Sequence, residues 1–258
     1  MCIILSCRPG ARPTDEVVEE CWLNNPDGAG IMYPEGGMVV GHKGLMTLGA
    51  LREAMSSVPE DAPLVVHFRI GTSGGLTPEV THPYPVSREM SALHATDWEA
   101  PLGIAHNGVL LDMPTDEANG MSDTVAYVRD VVWPLSRRKH GNLTHSSKAK
   151  AVLKRTSEGS RLAVMGSDGS VTLTGAGWNS VAKGIQASNG TWRPRRGLVR
   201  NALAWLPDGC VGCPMSYECD DAAFVPLCLD VAESLGYSRA DVDEAWKSSG
   251  LLTVGSWA

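Results

Sequence analysis

The sequence contains no apolar run of about 18 residues, the length a membrane-crossing helix needs, so no membrane partner is expected. It has no charged leader followed by an apolar core, so secretion is not expected and the cytoplasm is the expected location. The Ile4-Leu5-Ser6-Cys7 stretch faintly suggests a lipoprotein cleavage site, but nothing of suitable length precedes it. Excess positive charge is missing too. Lys and Arg number 22 against 29 Asp and Glu, a net charge of -7, which argues against a surface built to grip nucleic-acid phosphates. P-loop and pyrophosphatase-like Gly-rich patterns are absent, as are internal repeats. The seven cysteines are an odd number in 258 residues, which speaks against a secreted disulfide framework.

What remains is an ordinary globular mix, 43% apolar and 20% charged, able to bury a real core. Residues 1–6 read as a buried strand. Val17 to Asn24 reads as a helix with Thr14 or Asp15 near its N-cap. Gly30 to Tyr33 and Met38 to Lys43 read as strands joined by the Pro34-Glu35-Gly36-Gly37 turn. Thr47 to Ser57 puts Leu48, Leu51 and Met55 on one helical face, and Leu64 to Ile70 reads as a strand buried on both sides. Leu102 to His106 and Val109 to Leu111 are expected to form a hairpin around Asn107-Gly108. Asp123 to Trp133 is expected to be helical, capped by Ser122, and Lys148 to Arg155 helical as well. Arg161 to Met165 and Ser170 to Thr174 form a second expected hairpin, turned at Ser167-Asp168-Gly169. Adjacent hairpin-linked strands mixed with helices predict an α+β fold with antiparallel sheets and helices on their faces. Asn189 to Pro207 looks irregular, and two short helices are expected beyond it, Ala222 to Leu235 and Arg239 to Ser248.

The first seven residues, MCIILSC, place a cysteine directly behind the initiator methionine. A buried strand that happens to contain a thiol is the plain reading, since cysteine packs as a small hydrophobe. The chemical reading is that loss of Met1 leaves Cys2 with a free α-amine beside its own thiol. Four further stretches bear on the choice: NNPDGAGI around residues 25–31, HFRIGTSGG at 67–75, AHNGVL at 105–110 and SDT at 122–124. Singly they read as a turn, a strand end with a surface arginine, a hairpin tip and a helix cap.

Together, in this order and behind a second-position cysteine, they resemble the class II glutamine amidotransferases, a branch of the N-terminal-nucleophile hydrolases. The resemblance covers roughly residues 2–190. It implies a four-layer αββα sandwich of two mostly antiparallel sheets over 2–190, with 191–258 as an irregular segment and a small cysteine-containing tail. It implies that Cys2 attacks the side-chain amide of free glutamine and that Asn107 and the Gly108 N–H hold the oxyanion. Arg69 would bind the substrate α-carboxylate, with further contacts from Thr72 and Ser73, and Asp123 would pair with the α-ammonium. The DGAG segment, Asp27 to Gly30, would support the site. His82 and His106 fall in family-like stretches and are expected to pack near the site. Ile3 departs from the Gly that often follows the cysteine in the family.

The chemistry is self-consistent. An α-amine of pKa about 7.7 to 8.0 is partly neutral near pH 7 and able to take a proton from a thiol of about 8.5. It returns that proton to departing ammonia, so no separate histidine and no cofactor are needed. Family members usually pass ammonia to a second domain, and residues 191–258 are too few for one. A separate ammonia-accepting enzyme is therefore the expected partner, with water as the other acceptor. In the tail, Cys210, Cys213, Cys219 and Cys228 are spaced C-x2-C-x5-C-x8-C. That spacing leaves structural zinc or an iron–sulfur cluster open beside plain thiol packing. Two other functions stand against glutaminase. An amidohydrolase for a different amide is disfavoured by Arg69 and Asp123, which match both ends of a free amino acid. A non-catalytic binding module is disfavoured by the full set of matching residues.

Overall fold

The computed structural model describes residues 2–71, 77–116, 120–138 and 143–193. The chain divides after Arg193 into two units, and all described residues lie in the first. The tail cysteines and the two helices expected beyond residue 220 therefore lie outside the described residues. Among the described residues no helix is long and apolar enough to cross a membrane.

The fold is α+β, with two antiparallel sheets. The larger sheet is built around β1 (Ile3–Cys7), whose neighbours are β4 (Leu64–Phe68) and β11 (Ile185–Ala187). Beyond β4 it continues through β2 (Ala29–Glu35), β3 (Met38–Leu45) and β6 (Asp97–Ala100), and beyond β11 it ends at β10 (Asn179–Ala182). The smaller sheet runs β5 (Tyr84–Pro85), β7 (Leu102–Asn107), β8 (Arg161–Gly166), β9 (Val171–Thr174).

The period-two pattern of a strand decides how the layers stack. In β1, Ile4 faces inward with Met32, Val39 and Val65, where they meet Ala105, Ala163 and Met165 of the smaller sheet. Ile3 and Leu5 face the other way, against Val18 and Cys21 of helix α1 (Asp15–Asn24) and Leu51 of α2 (Leu48–Ser56). The outer face of the smaller sheet, with Ile104, Leu162 and Val164, is covered by Val125 and Tyr127, Val128 and Val132, and Ala149 and Leu153. These last side chains belong to a helical run downstream, where α4 (Asp123–Tyr127) passes through a π-helical turn at Val128–Val132 into a short helical end, and to the later helix over Ser147–Thr156. The central strands β1, β4 and β8 are thus buried on both faces, which explains their unbroken apolar runs. The sheets approach closely because small residues line the interface. A Cβ on Gly103 would stand 2.7 Å from Met32 Sδ and from the Trp98 ring.

Most elements agree with the sequence reading. Thr14, Thr47 and Ser122 accept hydrogen bonds from Val17, Ala50 and Val125 N–H groups and so start their helices. The hairpin expected at Asn107-Gly108 is not formed. Strand β7 pairs with β8 along its length and with β5 at Gly103 and Ile104, while the chain beyond Gly108 leaves the sheet and the Leu110 N–H donates to Asp123 Oδ2 instead of to a hairpin partner. Gly108 adopts φ +146 as the chain leaves the sheet, and a Cβ there would meet Ser160 Oγ at 2.3 Å. Close approach to Ser160, rather than a tight turn, is what requires glycine at this position.

Candidate functional site

Strand register places the first pair of residues. Ile3 pairs with Phe68 in the antiparallel β1–β4 ladder, so Cys2 and Arg69, the next residues outward, come side by side. The half-buried Cys2 thiol donates to the Ile70 carbonyl at 3.6 Å. Burial raises its pKa above a thiol's ordinary value, and the nearby Arg69 charge opposes that rise without cancelling it. The sulfur is therefore protonated at neutral pH, and reaction requires a base.

Arg69 is 5% exposed. Its position is set by the turn the sequence writes as Asn25-Pro26-Asp27-Gly28. The Arg69 N–H donates to the Gly28 carbonyl at 2.8 Å, and the Arg69 carbonyl accepts from the Asp27 N–H at 3.0 Å. Asp27 Oδ2 accepts from the Gly71 N–H at 2.6 Å, which fastens the segment after Arg69 as well. Asn25, fully buried, ties the same turn back to α1 by donating from Nδ2 to the Cys21 carbonyl. Gly30 is needed for a different reason. A Cβ there would stand 2.2 Å from the His82 carbonyl oxygen and 2.7 Å from that of His42.

Asn107 ends β7 and is 1% exposed. Its Nδ2 lies 2.9 Å from Ser188 Oγ. The same hydroxyl oxygen accepts from the Ile4 N–H at 2.9 Å, and the Ser188 N–H donates to the Ile4 carbonyl. The next residue, Asn189, donates from Nδ2 to the Cys2 carbonyl at 2.7 Å. Two consecutive residues after β11 thus tie the start of β1 to the end of β7, in different sheets. Among the described residues Asn107 Oδ1, which is buried, has no hydrogen-bond partner.

Asp123 opens α4. Its Oδ2 accepts from the Leu110 N–H at 2.9 Å and its Oδ1 from the Thr124 N–H at 2.6 Å. It thereby anchors the loop that follows Asn107 and Gly108. Thr124 Oγ1 in turn lies 2.7 Å from His106 Nδ1.

Behind these residues lies a cluster of three buried imidazoles. The His67 and His82 ring centroids are 4.4 Å apart, and His82 lies 6.1 Å from His106. His67 Nε2 donates to the His106 carbonyl at 3.1 Å, joining β4 to β7. Burial lowers His67 to about 3 and His106 to about 4, and lowers His82 well below its ordinary value. Neutral near pH 7, the three rings pack and hold strand ends. Lys43 is buried beside them, its Nζ donating to the Glu79 and Leu93 carbonyls at 2.7 Å each and lying 3.9 Å from the Tyr84 ring centroid. Burial brings Lys43 down to about 7.

Of the residues singled out in the sequence, Cys2 adjoins Arg69, Asn107 is tied to β1 through Ser188, and Asp123 anchors Leu110 just beyond Gly108. Thr72 and Ser73 lie outside the described residues. Among the described residues no three His, Cys, Asp or Glu side chains are grouped as a metal site. Sequence reasoning missed Ser188 and Asn189, which carry no motif, and left His67 and Lys43 unremarked. No family model matches the chain, and no curated protein matches it significantly.

Proposed function

We propose that the protein is a class II glutamine amidotransferase whose nucleophile is Cys2 after loss of Met1, built on the N-terminal-nucleophile fold. The observation that carries this reading is the juxtaposition of Cys2 with a buried arginine, tied through Ser188 and Asn189 to the Asn107 end of β7. The released α-amine accepts the thiol proton, and the thiolate attacks the glutamine carboxamide carbon. The carbonyl electron pair moves onto oxygen, where the Asn107 side-chain amide and the Gly108 N–H stabilise it. Collapse expels ammonia, which takes up the proton held on the amine, and leaves a γ-glutamyl thioester. Water then attacks the thioester, releasing glutamate and restoring the thiol. Burial keeps the thiol protonated at rest, so the adjoining amine is a functional requirement rather than an accessory.

Arg69 holds the α-carboxylate through a bidentate fork. Asp123 receives the α-ammonium on the Oδ2 lone pair left over by its contacts with the Leu110 N–H, the Thr124 N–H and the Thr124 hydroxyl. Ammonia passes to a separate accepting enzyme or to water. The test is turnover: purified protein lacking Met1 should release ammonia and glutamate from free glutamine in equal amounts, and Cys2→Ala should release neither. Equal activity in Cys2→Ala overturns the reading.

A further inference from the structure

Ser188 is fully buried, and its hydroxyl oxygen faces two donors at once, the Ile4 N–H and the Asn107 Nδ2, each at 2.9 Å. A hydroxyl also carries a hydrogen of its own, which needs an acceptor when buried. Asn107 Oδ1, equally buried, needs a donor. One exchange satisfies both. The oxygen and nitrogen of a carboxamide have nearly the same shape, so turning the Asn107 amide by half a turn disturbs no packing. Oδ1 then accepts from the Ser188 hydroxyl, which continues to accept from Ile4. Nδ2 takes the place of the oxygen that finds no donor among the described residues and becomes a buried N–H donor.

We propose that Ser188 is a positioning residue: its hydroxyl holds the Asn107 amide with Oδ1 toward Ser188 and Nδ2 on the opposite side, as the donor for an incoming oxyanion. The proposal rests on the glutaminase reading for its purpose, though not for its geometry. It gives β11 a role that its sequence does not advertise. Ser188, the residue that follows the strand, sets the orientation of the group that stabilises charge and is itself held by the backbone of the nucleophile strand, because the Ile4 N–H fixes which way the hydroxyl points. An oxyanion donor held in advance lowers the barrier, because nothing reorganises when charge develops.

The test combines kinetics with direct observation of hydrogen. With glutamine as substrate, Ser188→Ala should lower kcat by about tenfold or more and leave KM within about twofold, since the donor acts on the transition state rather than on bound substrate. In an Asn107→Ala background the same substitution should change kcat by less than about twofold, because its route to catalysis is already gone. Unchanged kcat in Ser188→Ala, or losses that simply add, overturns the proposal. Neutron diffraction from deuterium-exchanged wild-type crystals decides the geometry without any variant. Deuterium on Ser188 Oγ pointing at Asn107 Oδ1 is the expected result, and an ND2 group facing Ser188 overturns it. If the wild-type protein turns over no glutamine, the glutaminase reading falls while the neutron result still decides the amide's orientation.

Discussion

Acidification from pH 7 to pH 5 should strip a large part of this protein's stability while its carboxylates remain charged. The cause is the buried imidazole cluster. An unfolded histidine titrates near 6.5, whereas His67 is held at about 3 and His106 at about 4 in the fold. Folded values below the unfolded one mean that the unfolded chain binds protons the native state refuses, so unfolding becomes easier as pH falls through 6.5. Integrated from pH 7 to 5, each such group removes about 2 kcal/mol, and the two together about 4 kcal/mol. His82, packed between them, acts in the same direction. The charges facing the cluster sharpen the effect: Arg69 and Lys43 oppose a proton on His82, and the Asp123 carboxylate alone favours one, on His106. Against a typical total of about 5 to 15 kcal/mol, the loss is severe. Urea unfolding followed by tryptophan fluorescence reads it directly. With a slope of about 2 kcal/mol per molar urea, the midpoint should fall by about 2 M between pH 7 and 5. A midpoint that moves by less than about 0.5 M would show that the rings are hydrated or already charged in the native state, and would refute the reasoning.

Two substitutions probe the site's frame and its substrate contact. Gly30→Ala places a methyl group 2.2 Å from the His82 carbonyl oxygen, a backbone atom that cannot swing aside. It should cost about 3 kcal/mol or more and lower the melting temperature by several degrees, and a melting curve that coincides with the wild-type one contradicts the packing. Arg69→Lys keeps the charge but loses the planar fork, so KM for glutamine should rise by about tenfold or more with a smaller change in kcat. Steady-state kinetics check this, and an unchanged KM removes Arg69 from carboxylate binding.

The parts of the fold that were legible in the sequence are those governed by neighbours in the chain. Caps at Thr14, Thr47 and Ser122, the Gly36-Gly37 turn and the turn at Ser167-Asp168-Gly169 act over two to four residues and read correctly. Asn107-Gly108 was misread because the local signal for a hairpin is silent about distant partners, here Ser160 against Gly108 and the Asp123 carboxylate that takes the Leu110 N–H. Strands β10 and β11 were missed because they are short, and because β11, which carries β10, is itself held by pairing with β1, far away in sequence. The Ser188 contact with Ile4 spans 184 residues, and no local pattern announces such a bond. Cys2, Arg69, Asn107 and Asp123 were legible only through the order of their motifs. Their physical connection, through Ser188, Asn189, Thr124 and the imidazoles, had to be seen in the fold.

Mass spectrometry of the intact protein, before and after exposure to an electrophilic glutamine analogue, addresses the nucleophile itself. The starting mass should be short by one methionine, and a single added ligand should map by peptide fragmentation to Cys2 and be blocked by excess glutamine. A retained methionine in fully active protein, or an adduct found on Cys7 or Cys21 with Cys2 left free, would contradict Cys2 as that nucleophile.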